Sequence, residues 1–135
     1  MEVQNVIARD LDTGIIMADR VTVASRRLER AVGLLGRSRL DAGEALWITP
    51  CHGVHTWFMR FPIDVLAMDT EGVVVDAVSM LKPWRMRLPR PGAYSVLELP
   101  AGTLLAAPTA IGHRIQIQRG APGAGGPDVQ PSARP

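Results

Sequence analysis

Ile63-Asp64-Val65-Leu66-Ala67-Met68-Asp69-Thr70-Glu71-Gly72-Val73-Val74-Val75-Asp76-Ala77-Val78 is the stretch from which the fold can be read. Two apolar runs rich in β-branched residues flank Asp69 to Gly72, where Asp and Gly favour a turn, so the pattern predicts a β-hairpin with strands at 63–68 and 73–78. Upstream, Leu46 to Thr49 is a short apolar run stopped by Pro50, and Val3 to Arg9 and Gly14 to Asp19 form a pair of strands joined at Asp10 to Thr13. Downstream, Tyr94 to Leu99, Thr103 to Ala106 and Arg114 to Gln118 read as strands, with turns at Pro100-Ala101-Gly102 and around Gly112. One segment has helical spacing. Leu28, Ala31, Val32 and Leu35 recur at i, i+3, i+4 and i+7, Ser25 can cap the start and Gly36 can end it, which predicts a helix over about 24–35. The sum is a mostly β domain with that helix in its N-terminal half. Short strands must hide their edges, so they are expected to curl into a small partly closed barrel or sheet roll.

With 47% hydrophobic and 21% charged residues in 135, the chain is of ordinary globular composition, and residues 1–119 are expected to form one domain. A chain of this length buries roughly two thirds of its unfolded surface, enough for a core without disulfides or a structural metal. From Gly120 onward, Gly-Ala-Pro-Gly-Ala-Gly-Gly-Pro-Asp-Val-Gln-Pro-Ser-Ala-Arg-Pro has too little apolar surface to offset the entropy of ordering it, so 120–135 is expected to be a disordered tail. Cys51 is the only cysteine, which excludes an internal disulfide and fits a reducing compartment. The first ten residues lack the basic and apolar regions of a signal peptide, and the expectation is cytoplasmic. Asp64, Asp69 and Asp76 interrupt the best apolar runs, so no membrane span is expected. A formal charge of 15 − 13 = +2 supplies no field that calls for nucleic acid, and none is expected as a partner.

Unusual side chains concentrate between Pro50 and Asp64: Pro-Cys-His-Gly-Val-His-Thr-Trp-Phe-Met-Arg-Phe-Pro-Ile-Asp. Cys51, His55 and Met59 would stack as soft metal ligands on a helix, but Pro50, Gly53, Val54, Thr56 and Pro62 disfavour one. On a strand, residues four apart lie about 13 Å from each other, too far for bonds of about 2 Å to one ion. No metal and no cofactor is expected. Cys51 as a nucleophile would need an imidazole, and on a strand His52 points to the opposite face and His55 is distant, leaving His113 as a base from elsewhere. An inert thiol fits better.

Read as a strand, this stretch puts Cys51, His55, Trp57, Met59 and Phe61 on one face and His52, Val54, Thr56, Phe58 and Arg60 on the other. Both faces are partly apolar, so the strand is expected to be covered on both sides. His55 and Arg60 then need polar partners, and Asp64 and Glu98, each set within an apolar stretch, are the acidic candidates. Such a His55, Arg60, Asp64 and Glu98 cluster could hold a small polar ligand, perform acid–base chemistry or serve as a buried ion-pair network that fixes the fold. Lys82 to Pro91, with three prolines and four cations around Trp84, reads as a loop: either a basic lip for an anionic ligand or lipid headgroup, or a solvated connection.

Gly33-Leu34-Leu35-Gly36-Arg37, Cys51-His52-Gly53-Val54-His55-Thr56, Met59-Arg60-Phe61-Pro62-Ile63-Asp64-Val65, the Asp69 to Gly72 turn and Leu97-Glu98-Leu99-Pro100-Ala101-Gly102, in that order, resemble the bacterial and archaeal family labelled domain of unknown function 192. The likeness runs from about Val21 to Ile117. It implies a mostly β fold with an early helix, and it marks Arg37, His55, Met59, Asp64 and Glu98 without giving them roles. Ala67 and His113 depart from the pattern, which more often has a bulky apolar residue and an acid there. The functional expectation is a non-enzymatic module that binds a small polar or anionic ligand in a cleft lined by Arg37, His55, Trp57, Met59, Arg60, Asp64 and Glu98. The alternatives are a small hydrolase or lyase using His55 with Asp64 or Glu98, and a partner-binding domain acting through the basic loop.

Overall fold

The hairpin expected at 63–78 is the centre of the molecule. In the computed structural model, which describes residues 2–3, 6–25, 39–51, 53–56, 59–88 and 90–119, the described elements are β1 (Glu2–Val3), β2 (Val6–Asp10), β3 (Ile16–Ala18), β4 (Arg20–Ala24), β5 (Glu44–Ile48), β6 (Val54–His55), β7 (Ile63–Met68), β8 (Val74–Leu81), β9 (Met86–Arg87), β10 (Ser95–Pro100), the one-turn helix α1 (Thr103–Ala106) and β11 (Ile115–Arg119). Six strands form one sheet in the order β1-β4-β5-β10-β7-β8, β11-β2-β3 form a second, and β6 and β9 pair as a two-stranded ribbon. Every residue of β7 is buried, as expected of a strand flanked on both sides and covered on both faces. At the turn before β8 the Asp69 carboxylate accepts from the amides of Glu71 and Val73, and Gly72 has φ 84°, with the Ile115 carbonyl 2.6 Å from where a Cβ would stand.

Alternation along the strands divides the core in two. Val21, Ala45, Leu66, Met68, Leu97 and Leu99 point to one face of the large sheet and pack on Val6, Ala8, Met17, Ala18 and Ile115 of the small one. Ala24, Leu46, Ile48, Ile63, Val65, Ala67 and Val96 point to the other face and pack with Met59, Leu81 and Ala93. The mostly β class is as expected. The sheets do not close into a barrel; their edges end at β1 and β8 in the large sheet and at β11 and β3 in the small one.

Strands β4 and β5 are parallel, with Arg20 opposite Glu44 and Ala24 opposite Ile48. Parallel neighbours need a crossover of a dozen or more residues, which 25–43 supply. Ala24 closes β4; the body of the helix expected over about 24–35 lies outside the described residues, as does the tail at 120–135.

Three local expectations are corrected. Thr103 to Ala106 is a helical turn, because Gly102 adopts φ 97°, the Thr103 hydroxyl donates to the Pro100 carbonyl at 2.7 Å and the Leu104 amide donates to a carboxylate of β7 at 2.8 Å. The continuous strand expected across 51–61 is extended only at Val54–His55 among the described residues. The Met59 amide bonds back to the Thr56 carbonyl at 3.1 Å, and Thr56 is buried while His55 and Arg60 are exposed, which breaks the alternation among the described residues. Finally, the 82–91 connection contains β9, paired antiparallel with β6.

Candidate functional site

Glu98 sits on β10 opposite Leu46 of β5 and Val65 of β7, so its side chain lies on the second face of the large sheet, in a row with two apolar residues. It is 3% exposed, and its Oε1 is buried with no hydrogen-bond partner among the described residues. Loss of hydration disfavours the charged form and pushes its pKa up to about 8, so the carboxyl carries its proton at neutral pH and can act as a donor. Met59 is buried in the same cluster as Ile63, Leu46 and Val65, and Arg60 follows it into solvent.

A second acid stands on that face. Asp76 of β8 is opposite Ala67, one pleat row from Glu98, and takes a bidentate contact from the Arg87 guanidinium at 2.8 and 2.9 Å, with Arg90 3.6 Å away. The Arg87 hydrogen bonds hold its carboxyl below the usual range against the opposing effect of burial. Asp76 thereby ties the β6–β9 ribbon to the large sheet.

Asp64 does not join Glu98. Its register partner is Leu99, so it points to the opposite face. The register between β7 and β8 slips where Asp64 stands, leaving Ser79 and Met80 against one residue, and Asp64 Oδ1 accepts the Met80 amide at 2.8 Å. Its Oδ2 accepts the Leu104 amide at 2.8 Å. Both oxygens are thus engaged in holding backbone, and among the described residues Asp64 has no imidazole partner. His55 is exposed on the ribbon opposite Met86. Arg37 and Trp57 lie outside the described residues. The Cys51 thiol donates to the Gly53 carbonyl at 3.0 Å, and His113 is engaged elsewhere. Among the described residues, no three His, Cys, Asp or Glu side chains cluster so as to hold a metal ion, and no helix is long and apolar enough to cross a membrane.

Sequence reasoning missed a further cluster. Asp10, wholly buried, accepts from the Thr109 hydroxyl at 2.7 Å and from His113 Nδ1 at 2.8 Å on one oxygen, and from the amides of Asp12 and Thr13 on the other. Burial raises its pKa, but these four hydrogen bonds outweigh it and the net shift is downward. The same bond, with the attraction of Asp10 and Asp12, raises His113. Asp76 carried the signal that singled out Glu98, an acid inside an apolar run. Asp10 and Thr109 carried none, because their meeting depends on β11 pairing with β2.

Comparison with known proteins follows the fold. The chain is 33% identical over 103 residues to a UPF0127 protein of Pyrococcus abyssi, covering 72% of this chain and 85% of that one. It is 38% identical over 66 residues to a UPF0127 protein of Pyrococcus furiosus, covering 49% and 56%. Two crystal structures share the fold. A protein of unknown function from Novosphingobium aromaticivorans matches with TM-score 0.72 at 20% identity, covering 84% of each chain. A Sinorhizobium meliloti protein matches with TM-score 0.72 at 21% identity, covering 87% of this chain and 98% of the other. At that identity the likeness speaks for architecture alone. The model of the family described as "Uncharacterized ACR" matches residues 10–117, nearly all of the folded chain, and the protein therefore belongs to that family, DUF192.

Proposed function

We propose that the protein is a non-enzymatic binding module that takes a small polar or anionic ligand between the second sheet face and the residues packed on it, with protonated Glu98 donating a hydrogen bond to an acceptor on the ligand. The observation that carries the reading is the buried Oε1 of Glu98, which has no hydrogen-bond partner among the described residues. A carboxyl left so in an apolar setting costs about 1–3 kcal/mol, a cost that a ligand acceptor would remove. The neutral acid suits an anionic acceptor because it brings no like charge, and Arg60, exposed next in sequence to buried Met59, is a cation available to such a ligand. No observation favours the acid–base alternative, since Asp64 is spent on two amides and His55 is exposed on the ribbon.

Thermal denaturation in the presence of organic acids, sugars, nucleotides and metal ions tests the reading. At least one carboxylate- or carbonyl-bearing compound is expected to raise the midpoint of the wild type, to do so with Glu98→Gln, whose amide still donates, and to fail with Glu98→Leu. A panel without any shift, or a shift that survives Glu98→Leu, would overturn it.

A further inference from the structure

From Ala77 to Leu97 the chain holds four cations, Lys82, Arg85, Arg87 and Arg90, and no acid; Asp76, just before it, pairs with Arg87 and Arg90, so the edge's surface charge comes from Lys82 and Arg85. Between and beside them the fold leaves large apolar side chains in water: Met80 is 50% exposed, Trp84 57%, Met86 51%, Leu88 68% and Tyr94 42%. Scattered singly over a surface such residues need no explanation; five between the end of β8 and the start of β10 do.

This connection is firmly held. Thr56, wholly buried, donates its amide to the Arg85 carbonyl at 2.8 Å and accepts the Trp84 amide on its own carbonyl at 2.9 Å. Its hydroxyl accepts the Arg85 amide at 2.9 Å and donates to the Lys82 carbonyl at 2.5 Å. One buried side chain therefore fixes the turn from which Trp84 projects. Met80 and Trp84 have φ of 59° and 63°, a region that bulky L residues avoid, yet neither side chain belongs to either core cluster. The fold itself holds both conformations, Met80 through its amide bond to Asp64 and Trp84 through its amide bond to Thr56, and both side chains project from the surface. On β9 the sides are sorted: Arg87 turns in to Asp76, and Met86, the register partner of exposed His55, faces away from it.

From this arrangement we infer that the 80–90 edge docks on an anionic lipid bilayer, with Trp84, Met86 and Leu88 entering the headgroup boundary and Lys82 and Arg85 meeting lipid phosphates. Charge complementarity selects an anionic occupant. The apolar side chains project side by side with cations and prolines, which suits a soft interface that takes them together. Tryptophan and the long stems of Lys and Arg match a zone that is apolar below and wet above. The inference is independent of Glu98.

Cosedimentation of the full chain with phosphatidylcholine vesicles, with and without phosphatidylglycerol, tests it. The chain is expected to pellet with the phosphatidylglycerol vesicles only, with a blue shift of tryptophan emission. Leu88→Ser and Trp84→Asn are each expected to weaken binding about tenfold, through loss of interfacial apolar area. Asn tolerates positive φ, so Trp84→Asn should keep or raise the thermal midpoint while losing the blue shift; Leu88→Ser changes a mostly exposed residue and controls for any failure of the first variant to fold. Lys82→Ala with Arg85→Ala should also reduce binding. Absence of pelleting with phosphatidylglycerol vesicles would overturn the inference, and binding to polyglutamate in that case would identify an acidic polypeptide as the occupant. Undiminished binding by both apolar variants would overturn it as well, since the contact would then be charge adsorption without insertion.

Discussion

At Glu98, a single proton links the candidate site to stability. Its folded pKa of about 8 lies above the ordinary 4.5, so the folded state holds the proton more tightly than the unfolded state does. The sign follows: stability from this group is full below pH 4.5 and is lost as pH rises toward 8, a decline on the order of a few kcal/mol. Urea denaturation at pH 5 and pH 8 should show the loss in the wild type and a flattened dependence in Glu98→Gln; equal slopes would mean that the carboxyl is hydrated. The Asp10–His113 pair responds at both ends. Asp10, lowered below 3.8, contributes above that value and is lost in acid, and His113, raised above 6.5, contributes below that value and is lost as pH climbs through its folded pKa. An NMR titration should place His113 above an ordinary imidazole, and Asp10→Asn should return it toward 6.5; an unmoved midpoint would assign the shift elsewhere. Glu98 was legible because an acid amid Val96, Leu97 and Leu99 has no solvated place to go. Asp10 was not, since a turn-forming Asp looks the same whether or not a distant Thr and His close over it.

Among the elements, the β7–β8 hairpin was legible because two apolar runs rich in β-branched residues and an Asp-to-Gly turn agree on one structure, and β7 is found at 63–68 as expected. α1 was misread because Thr103-Leu104-Leu105-Ala106 is too short to show a period. What bends it into a helical turn is the nonlocal acceptor Asp64, together with Gly102 at positive φ. Asp64 was read as an acidic partner for His55 and Arg60, but its two oxygens accept amides on β8 and α1, which carry no side-chain signature in the sequence. Asp64→Asn keeps one acceptor oxygen and sets a buried amide NH₂ against a backbone donor. It should therefore cost about 2–4 kcal/mol in urea denaturation. A cost under about 0.5 kcal/mol would mean that water already serves one of the two amides.

For the molecule as a whole, the division into two faces and a ribbon makes separate units of stability. The large sheet is covered on both sides around β7 and β10, and its opening requires both core clusters to part. The β6–β9 ribbon is two residues per strand, tied by Thr56 to the 82–85 turn and by Arg87 to Asp76. The ribbon was read as a strand and a loop, because a two-residue pairing leaves no period to detect. Local opening follows the number of buried contacts that must break, so amides of Thr56 and Arg85 should exchange with solvent faster than those of β7 and β10. Arg87 is 37% exposed while Asp76 is 8%, and a bidentate contact of that kind is worth about 1–2 kcal/mol. Arg87→Ala should accordingly speed exchange at Thr56 and Arg85 by roughly tenfold and leave β7 unchanged. If β7 amides accelerate equally, the ribbon and the sheet open together, and the Asp76 contact belongs to the stability of the entire fold.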